Sequence, residues 1–146
     1  MPDNSRAEKG RRPRDELGRP LPRHEHNRLP LEDFDRLDIA ENDRLGRAYF
    51  ARGQHFGAHE AWESCWKQAR GRPEAEGYKG LAQLAAGYVH QQRGNSRGCR
   101  ALLGRAIGRL RGYGAEWQDL DLARLIADAE AMVAALDEPA ARDVSR

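Results

Sequence analysis

Glycine and proline residues divide this chain into segments, each long enough for one helix. Few strand-forming residues lie within these segments. From residue 38 onward the breaks fall at Gly53, Gly71, Gly94, Gly112 and Pro139. The whole chain has three valines, three isoleucines and no threonine, whereas strands are enriched in β-branched residues. Between the breaks, apolar residues recur at three- and four-residue steps, which is the helical period. The sequence therefore predicts an all-α fold, a single bundle of about five helices with short connections.

The same breaks set the bounds of the five predicted helices. These helices cover residues 38–52, 55–69, 75–92, 97–111 and 116–137. Asp38 is a predicted N-cap for the first helix, and Asn95 or Ser96 for the fourth. The last helix carries an amphipathic stripe, which consists of Leu122, Leu125, Ala129, Met132 and Leu136. The helical domain is predicted to span residues 36–138, followed by a polar tail over 139–146.

Residues 1–35 are predicted to form a disordered, basic arm rich in arginine and proline. Five of the seven prolines lie in the first 30 residues, where apolar residues are scarce and show no period. This stretch has eight basic and five acidic side chains, a net charge of +3, and the rest of the chain has a net charge of −1. Such an arm either has no partner or binds nucleic acid or another acidic partner weakly.

Composition excludes several classes of protein. No apolar run approaches the roughly 20 residues of a membrane span, and the N-terminus lacks the apolar stretch of a secretory signal. The 25 basic and 23 acidic residues give a net charge of +2, which argues against a nucleic-acid coat protein. Cys65 and Cys99 are interpreted as free thiols in a reducing cytoplasm. Partners are not identified, and self-association is left open.

The segment from His55 to Trp66 is the most informative part of the chain. On a helix, His55, His59, Trp62, Glu63 and Trp66 fall within an arc of about 100°. Two tryptophans on one stripe predict a buried face, and buried polar groups on that face then need partners. The cluster is therefore either a structural hydrogen-bond network or a functional site. Glu60 lies further round the helix and can point elsewhere.

The third predicted helix offers polar side chains that could complete such a site. Gln83 and His90 are two turns apart on a face lined by small residues. If this face meets His59 and Glu63, the four polar side chains converge. They would then bind a divalent metal, the candidate cofactor, through His59, Glu63 and His90, or act as an acid/base pair.

The candidate catalytic residues are thus His59, Glu60 and Glu63, with a metal activating water and a glutamate moving protons. Trp62 and Trp66 are either core residues or a stacking platform for a ligand, which Gln83 would also contact. The segment is not a zincin motif, because position 63 is Glu where that motif needs a second His.

A second local motif is the segment Arg93-Gly94-Asn95-Ser96-Arg97-Gly98. Gly94 suits a left-handed C-cap, and Asn95 or Ser96 suits the N-cap that follows. The segment is either a tight turn between two helices or a helix N-terminus that holds an anion between two arginines.

These residues, taken in order, resemble the domain of unknown function 309 family. The first half of the resemblance is Phe50…Gly53-x-x-Phe56-x-Ala58-His59-Glu60-x-x-Glu63-x-x-Trp66, and the second is Lys79-Gly80-Leu81-x-Gln83-Leu84-Ala85-Ala86…His90…Arg93-Gly94-Asn95…Gly98.

The resemblance covers about residues 40–111 and implies a small all-helical domain known from bacteria, archaea and plastids, without an assigned reaction. Its pattern carries over to a set of polar and aromatic residues: His59, Glu60, Glu63, Trp66, Gln83, His90 and Asn95. The resemblance implies that the His and Glu residues gather between helices, and it adds Asn95 to the candidate ligand-binding residues. The family pattern often has an acidic residue two before the motif His, where this chain has Gly57.

Two main hypotheses follow for function. The first is a domain with a His/Glu site between the second and third helices that binds a metal or a small ligand. The second is a non-enzymatic interaction module in which the His/Glu cluster is a structural hydrogen-bond network. Nucleic-acid binding through the arm is the least favoured, because the helical domain is slightly acidic. Whether the chain is an enzyme is left open.

Overall fold

Five helices form where the sequence predicts them. The computed structural model describes residues 12–137, and the helices are α1 Ile39–Ala51, α2 His55–Gln68, α3 Ala75–Gln92, α4 Ser96–Arg111 and α5 Leu122–Asp137. Each helix packs against its neighbour in the chain, so α3 lies between α2 and α4. The predicted all-α bundle is confirmed.

The predicted caps explain where α1 and α4 begin. Asp38 accepts a hydrogen bond from the backbone N–H of Glu41 at 2.8 Å. Asn95 accepts one from the backbone N–H of Gly98 at 3.0 Å. Each bond satisfies an N–H group that has no partner within its helix.

Glycines on α3 let α4 approach closely. A Cβ atom on Gly87 would lie 2.6 Å from Cδ2 of Leu103, and one on Gly80 would lie 2.9 Å from Cδ2 of Leu110. The two glycines are seven residues apart on α3, and the two leucines are seven residues apart on the antiparallel α4. The face of α3 that bears small residues therefore meets α4 rather than α2.

The predicted start of the last helix at residue 116 is wrong. Residues 116–121 form a small antiparallel hairpin, with β1 Glu116–Trp117 paired to β2 Leu120–Asp121. Gln118 and Asp119 have φ angles of 49° and 63°, which an α-helix cannot accommodate. The Asp121 side chain then accepts a hydrogen bond from the N–H of Arg124 at 3.0 Å and caps α5.

An aromatic contact accounts for the hairpin. In the hairpin, the Trp117 ring packs against the rings of Tyr78 and Tyr113, at centroid distances of 5.2 and 4.8 Å. A Cβ atom on Gly77 would lie 2.5 Å from this ring, so the glycine makes room for it. Tertiary packing of Trp117 therefore outweighs the local helical pattern of residues 116–121.

Residues 12–37, called the N-terminal segment below, lie on the bundle. Their backbone is irregular except for an isolated β-bridge between Arg14 and Pro20 and a 3₁₀ turn at Phe34–Arg36, as the proline-rich composition led us to expect. However, Leu31 and Phe34 are buried in the core. Asp15 is buried as well, and its carboxylate accepts hydrogen bonds from the backbone N–H groups of Leu17 and Arg19. Residues 12–35 of the predicted arm thus lie against the bundle, held by apolar anchors at the end of the segment. The first 11 residues of the arm and the predicted tail lie outside the described residues.

Two further features bear on the sequence predictions. Among residues 12–137, no helix is long and apolar enough to span a membrane. Cys65 and Cys99 are both free and buried. Burial raises the pKa of both thiols, that of Cys65 to about 12. Neither cysteine therefore has the properties of a reactive nucleophile.

Candidate functional site

His59 and Glu63 form an ion pair on α2, as their i, i+4 spacing predicts. His59 Nε2 lies 3.1 Å from Glu63 Oε2, and His59 Nδ1 lies 3.1 Å from the carbonyl oxygen of Ala82 on α3. Both partners are acceptors, so both ring nitrogens must donate for both bonds to form. His59 thus links α2 to α3, and it makes both bonds at once in its imidazolium form.

The shifts in pKa agree with this geometry. Burial by itself lowers the pKa of His59, but the bonds to Glu63 and Ala82 outweigh it and the net pKa is raised. The hydrogen bond from His59 lowers the pKa of Glu63, against the opposing effect of burial. The two side chains are 28% and 34% exposed, so solvent screens part of their attraction.

Gln83 does not face this pair, so the predicted convergence is wrong. Its Oε1 accepts a hydrogen bond from Nη1 of Arg109 on α4 at 3.1 Å, and Arg109 also pairs with Glu76 at 3.0 Å. The reason is the packing described above: the small-residue face of α3 meets α4.

His90 and Asn95 also lie apart from the His59–Glu63 pair and bond to each other. Asn95 Oδ1 caps α4, so its Nδ2 is the donor to His90 Nδ1 at 2.9 Å. Gly94, with φ +78°, completes the turn between α3 and α4. Residues 93–98 thus form a tight turn between two helices, as the first of the two interpretations of this segment proposed.

The predicted metal set of His59, Glu63 and His90 is not assembled. Over residues 12–137, no group of three or more His, Cys, Asp or Glu side chains is placed to hold a metal ion. A metal also needs an imidazole nitrogen with a free lone pair, whereas both nitrogens of His59 lie 3.1 Å from acceptor oxygens of the protein. The donor set therefore does not fit a divalent cation.

The two tryptophans of the motif have different surroundings. Trp62 is 1% exposed, and its Nε1 donates to Asp43 Oδ1 on α1 at 2.9 Å, so it is a core residue. Trp66 is half-buried, with the guanidinium of Arg70 and the ammonium of Lys79 at 4.8 and 5.1 Å from its ring centroid. Only Trp66 is accessible to a ligand.

Glu60 lies elsewhere on α2, as its position further round the helix indicated. It lines a cavity of about 370 Å³ between α2 and the N-terminal segment, called the Glu60 cavity below. The lining residues are Arg12, Arg14, Asn27, Leu29, Leu31, Asp35, Phe56 and Glu60. Its volume falls in the usual range of ligand pockets, about 300–1,000 Å³.

Glu60 differs from the other polar residues of the motif because its carboxylate interacts with the described part of the chain only through its charge, which acts on His59. It is half-buried, and within residues 12–137 it makes no hydrogen bond and no ion pair. Arg12 and Arg14 line the same cavity but donate to backbone carbonyls, those of Leu21 and Gly18. A carboxylate and two cations thus share one cavity without pairing.

The surroundings of Gly57, where the resemblance implied an acidic residue, leave no room for a side chain. A Cβ atom on Gly57 would lie 2.9 Å from the ring of Tyr49. Tyr49 therefore occupies the space that an acidic side chain at position 57 would need, and its hydroxyl donates to Glu32 in the N-terminal segment.

The sequence reasoning missed Arg12, Arg14, Asn27 and Asp35 as cavity residues, because they lie in the predicted disordered arm. One signal was present in the sequence. Leu29, Leu31 and Phe34 are apolar positions close together at the end of that arm, and all three pack on the core.

Comparison with known proteins identifies one family. Residues 44–102 match the family described as domain of unknown function (DUF309). The matched residues include most of α1, all of α2 and α3, and the start of α4. No curated protein and no solved structure matches the chain. The match thus contains Glu60 and the His59–Glu63 pair, whereas the N-terminal segment lies outside it.

Proposed function

Residues 44–102 match the DUF309 family, and we propose that this chain binds a small charged ligand in the Glu60 cavity. The observation that carries the proposal is the unpaired, half-buried carboxylate of Glu60 inside a cavity that also presents two arginines. A carboxylate without a protein partner can pair with a ligand cation without first breaking an ion pair. Inside a partly buried cavity, solvent and salt screen such pairing less than on an open surface.

The remaining polar residues of the motif support the proposal because their side chains already bond within the protein, which leaves Glu60 as the residue available to a ligand. His59 joins α2 to α3, Gln83 joins α3 to α4 through Arg109, and Asn95 caps α4. We assign these side chains a structural role, the alternative that the sequence left open for the His/Glu cluster. Of the three, His59 holds α2, one wall of the cavity, against α3. The proposal assigns no reaction.

Thermal unfolding with a panel of charged compounds tests the proposal. The panel is butyrate, butylamine, 4-aminobutyrate, glycylglycine and inorganic phosphate, each at several concentrations. A ligand that binds only the folded state raises the melting temperature as its concentration rises. We expect at least one compound to do so with the wild type, and to lose most of its effect with Glu60→Gln.

Glu41→Gln is the matched control, because Glu41 is a half-buried glutamate of α1 that does not line the cavity. It should respond to the compounds as the wild type does. If no compound shifts the wild type, or if the shift survives Glu60→Gln, the proposed binding site is wrong.

The same proposal includes a location in the cytoplasm. It is supported by the two free thiols, since reducing compartments keep cysteines unpaired. Co-fractionation of the tagged chain with a cytoplasmic marker enzyme would test it, and recovery with secreted proteins would contradict it.

A further inference from the structure

Opposite charges lie at opposite ends of the Glu60 cavity. Phe56, Glu60 and Ser64 follow one another at four-residue steps and so form a single line along α2. The guanidinium of Arg14 lies over the Phe56 ring at 4.9 Å from its centroid. At the other end, Ser64 Oγ donates to Asp35 Oδ1 at 2.9 Å. The line therefore runs from a cation at Phe56, past Glu60, to a second carboxylate.

The basic end has donors to spare. Arg14 Nη1 donates to the carbonyl of Gly18 at 2.6 Å, and this is one of the five N–H donors of the guanidinium. Arg12 uses Nε on the carbonyl of Leu21 at 2.9 Å. Neither arginine makes an ion pair with a residue in the range 12–137. Guanidinium groups with free donors suit a carboxylate, which they bind in a bidentate manner.

The acidic end has no hydrogen-bonded or ion-paired cation among residues 12–137, although the charge of Glu60 also acts on its neighbour His59. Glu60 has no hydrogen-bond or ion-pair partner in the described part of the chain, and Asp35 accepts only from the neutral hydroxyl of Ser64. Both carboxylates line the cavity. An ammonium group is the partner that two carboxylates in one cavity favour, because it has three donors and a compact charge.

We infer that the ligand of the Glu60 cavity is a small zwitterion, with a carboxylate at Arg14 and an ammonium at Glu60 and Asp35. Phe56 and Glu60 are four residues apart, a rise of about 6 Å along the helix. The two charged groups of the ligand are therefore separated by about one helical turn, as in an ω-amino acid or a dipeptide. This inference rests on the proposed function and narrows it to one ligand class.

Isothermal titration of the full chain with four probes tests the inference. The zwitterions 4-aminobutyrate and glycylglycine carry both charges, whereas butyrate and butylamine each carry one. We expect at least one zwitterion to bind about tenfold or more tightly than both singly charged probes, which corresponds to one charge-assisted hydrogen bond. Glu60→Gln and Arg14→Gln should each weaken its binding by a similar factor, and Glu41→Gln should not.

The variants also separate failure of the inference from failure of the proposed function. If butylamine binds as tightly as the zwitterions and only Glu60→Gln weakens it, the cavity binds cations and the zwitterion is wrong. If no probe binds at all, this inference fails together with the proposed function. Because Arg14→Gln could loosen the N-terminal segment, Arg12→Gln serves as a second variant, and unchanged zwitterion affinity in both would overturn the inference.

Discussion

Replacing His59 with alanine tests the structural role of the His59–Glu63 pair. The change removes both bonds of the imidazolium, one to Glu63 and one to the Ala82 carbonyl. A hydrogen bond to a charged group contributes about 1.5–3 kcal/mol, but solvent screening of these partly exposed side chains reduces that amount. We therefore expect a loss of about 1–3 kcal/mol in the free energy of unfolding, or about 3–10 °C in melting temperature.

The loss should also depend on pH in a defined direction. The pKa of His59 is raised in the folded state, so its stabilisation is complete below the unfolded pKa of about 6.5 and disappears as the pH rises through the folded value. The pKa of Glu63 is lowered, so its contribution is complete above about pH 4.3 and falls as the pH drops through its folded value. The pair thus stabilises most between about pH 4.5 and 6.5.

Urea unfolding monitored by circular dichroism at pH 4, 6 and 9 measures this difference. The wild type and His59→Ala should differ most at pH 6 and least at pH 9. His24→Ala is the control, because His24 is exposed, and it should match the wild type throughout. Equal stability of His59→Ala and the wild type at pH 6, or a deficit that is the same at every pH, would refute the argument.

Three further predictions concern the scaffold. Gly87→Ala places a Cβ atom 2.6 Å from Leu103 Cδ2 and should destabilise the chain by about 1–3 kcal/mol. Gly104→Ala is the control, since its Cβ atom meets open space, and it should stabilise the chain by up to about 1 kcal/mol. Urea unfolding midpoints that coincide for the two variants would contradict this prediction. Asp121→Ala removes the cap of α5 and should cost about 0.5–2 kcal/mol, with faster amide exchange confined to the first turn of α5. Cys65, with its pKa raised to about 12, should react with a thiol reagent at pH 8 only after unfolding, so fast labelling of the native chain would contradict its burial.

The helices could be predicted because their signals are local. Gly53 and Gly94 end helices, and Asp38 and Asn95 begin them, through contacts within a few residues of chain. The hairpin before α5 could not be predicted in this way, because it depends on the packing of Trp117 against residues about 40 positions earlier.

The face of α3 that meets α2 was harder to predict than the helix itself. Gln83 and His90 share a line on α3, so their spacing is compatible with convergence on His59. Which neighbour that line meets depends on pairs such as Gly80 with Leu110 and Gly87 with Leu103. Matched seven-residue spacings in both helices were present in the sequence, but they carry meaning only once α3 and α4 are known to be antiparallel neighbours.

Part of the candidate site could be predicted and part could not. Glu60 follows from the motif on α2, and its place outside the His59–Glu63 pair follows from helical geometry. The basic end of the cavity comes from Arg12 and Arg14, in a segment whose composition is that of a disordered chain. The segment packs on the bundle through a few apolar residues. So few residues do not change its average composition, so composition alone could not predict this packing.

The most direct test of the account is the position at which a charged ligand binds. Amide chemical shifts of the isotopically labelled chain, followed by NMR during titration with each compound of the panel, locate that position. We predict that the largest changes for the binding compound cluster at Arg14, Asn27 and Glu60, on the walls of the Glu60 cavity. Changes centred instead on His59 and Glu63, with none at the N-terminal segment, would contradict the account and favour the His59–Glu63 pair as the site.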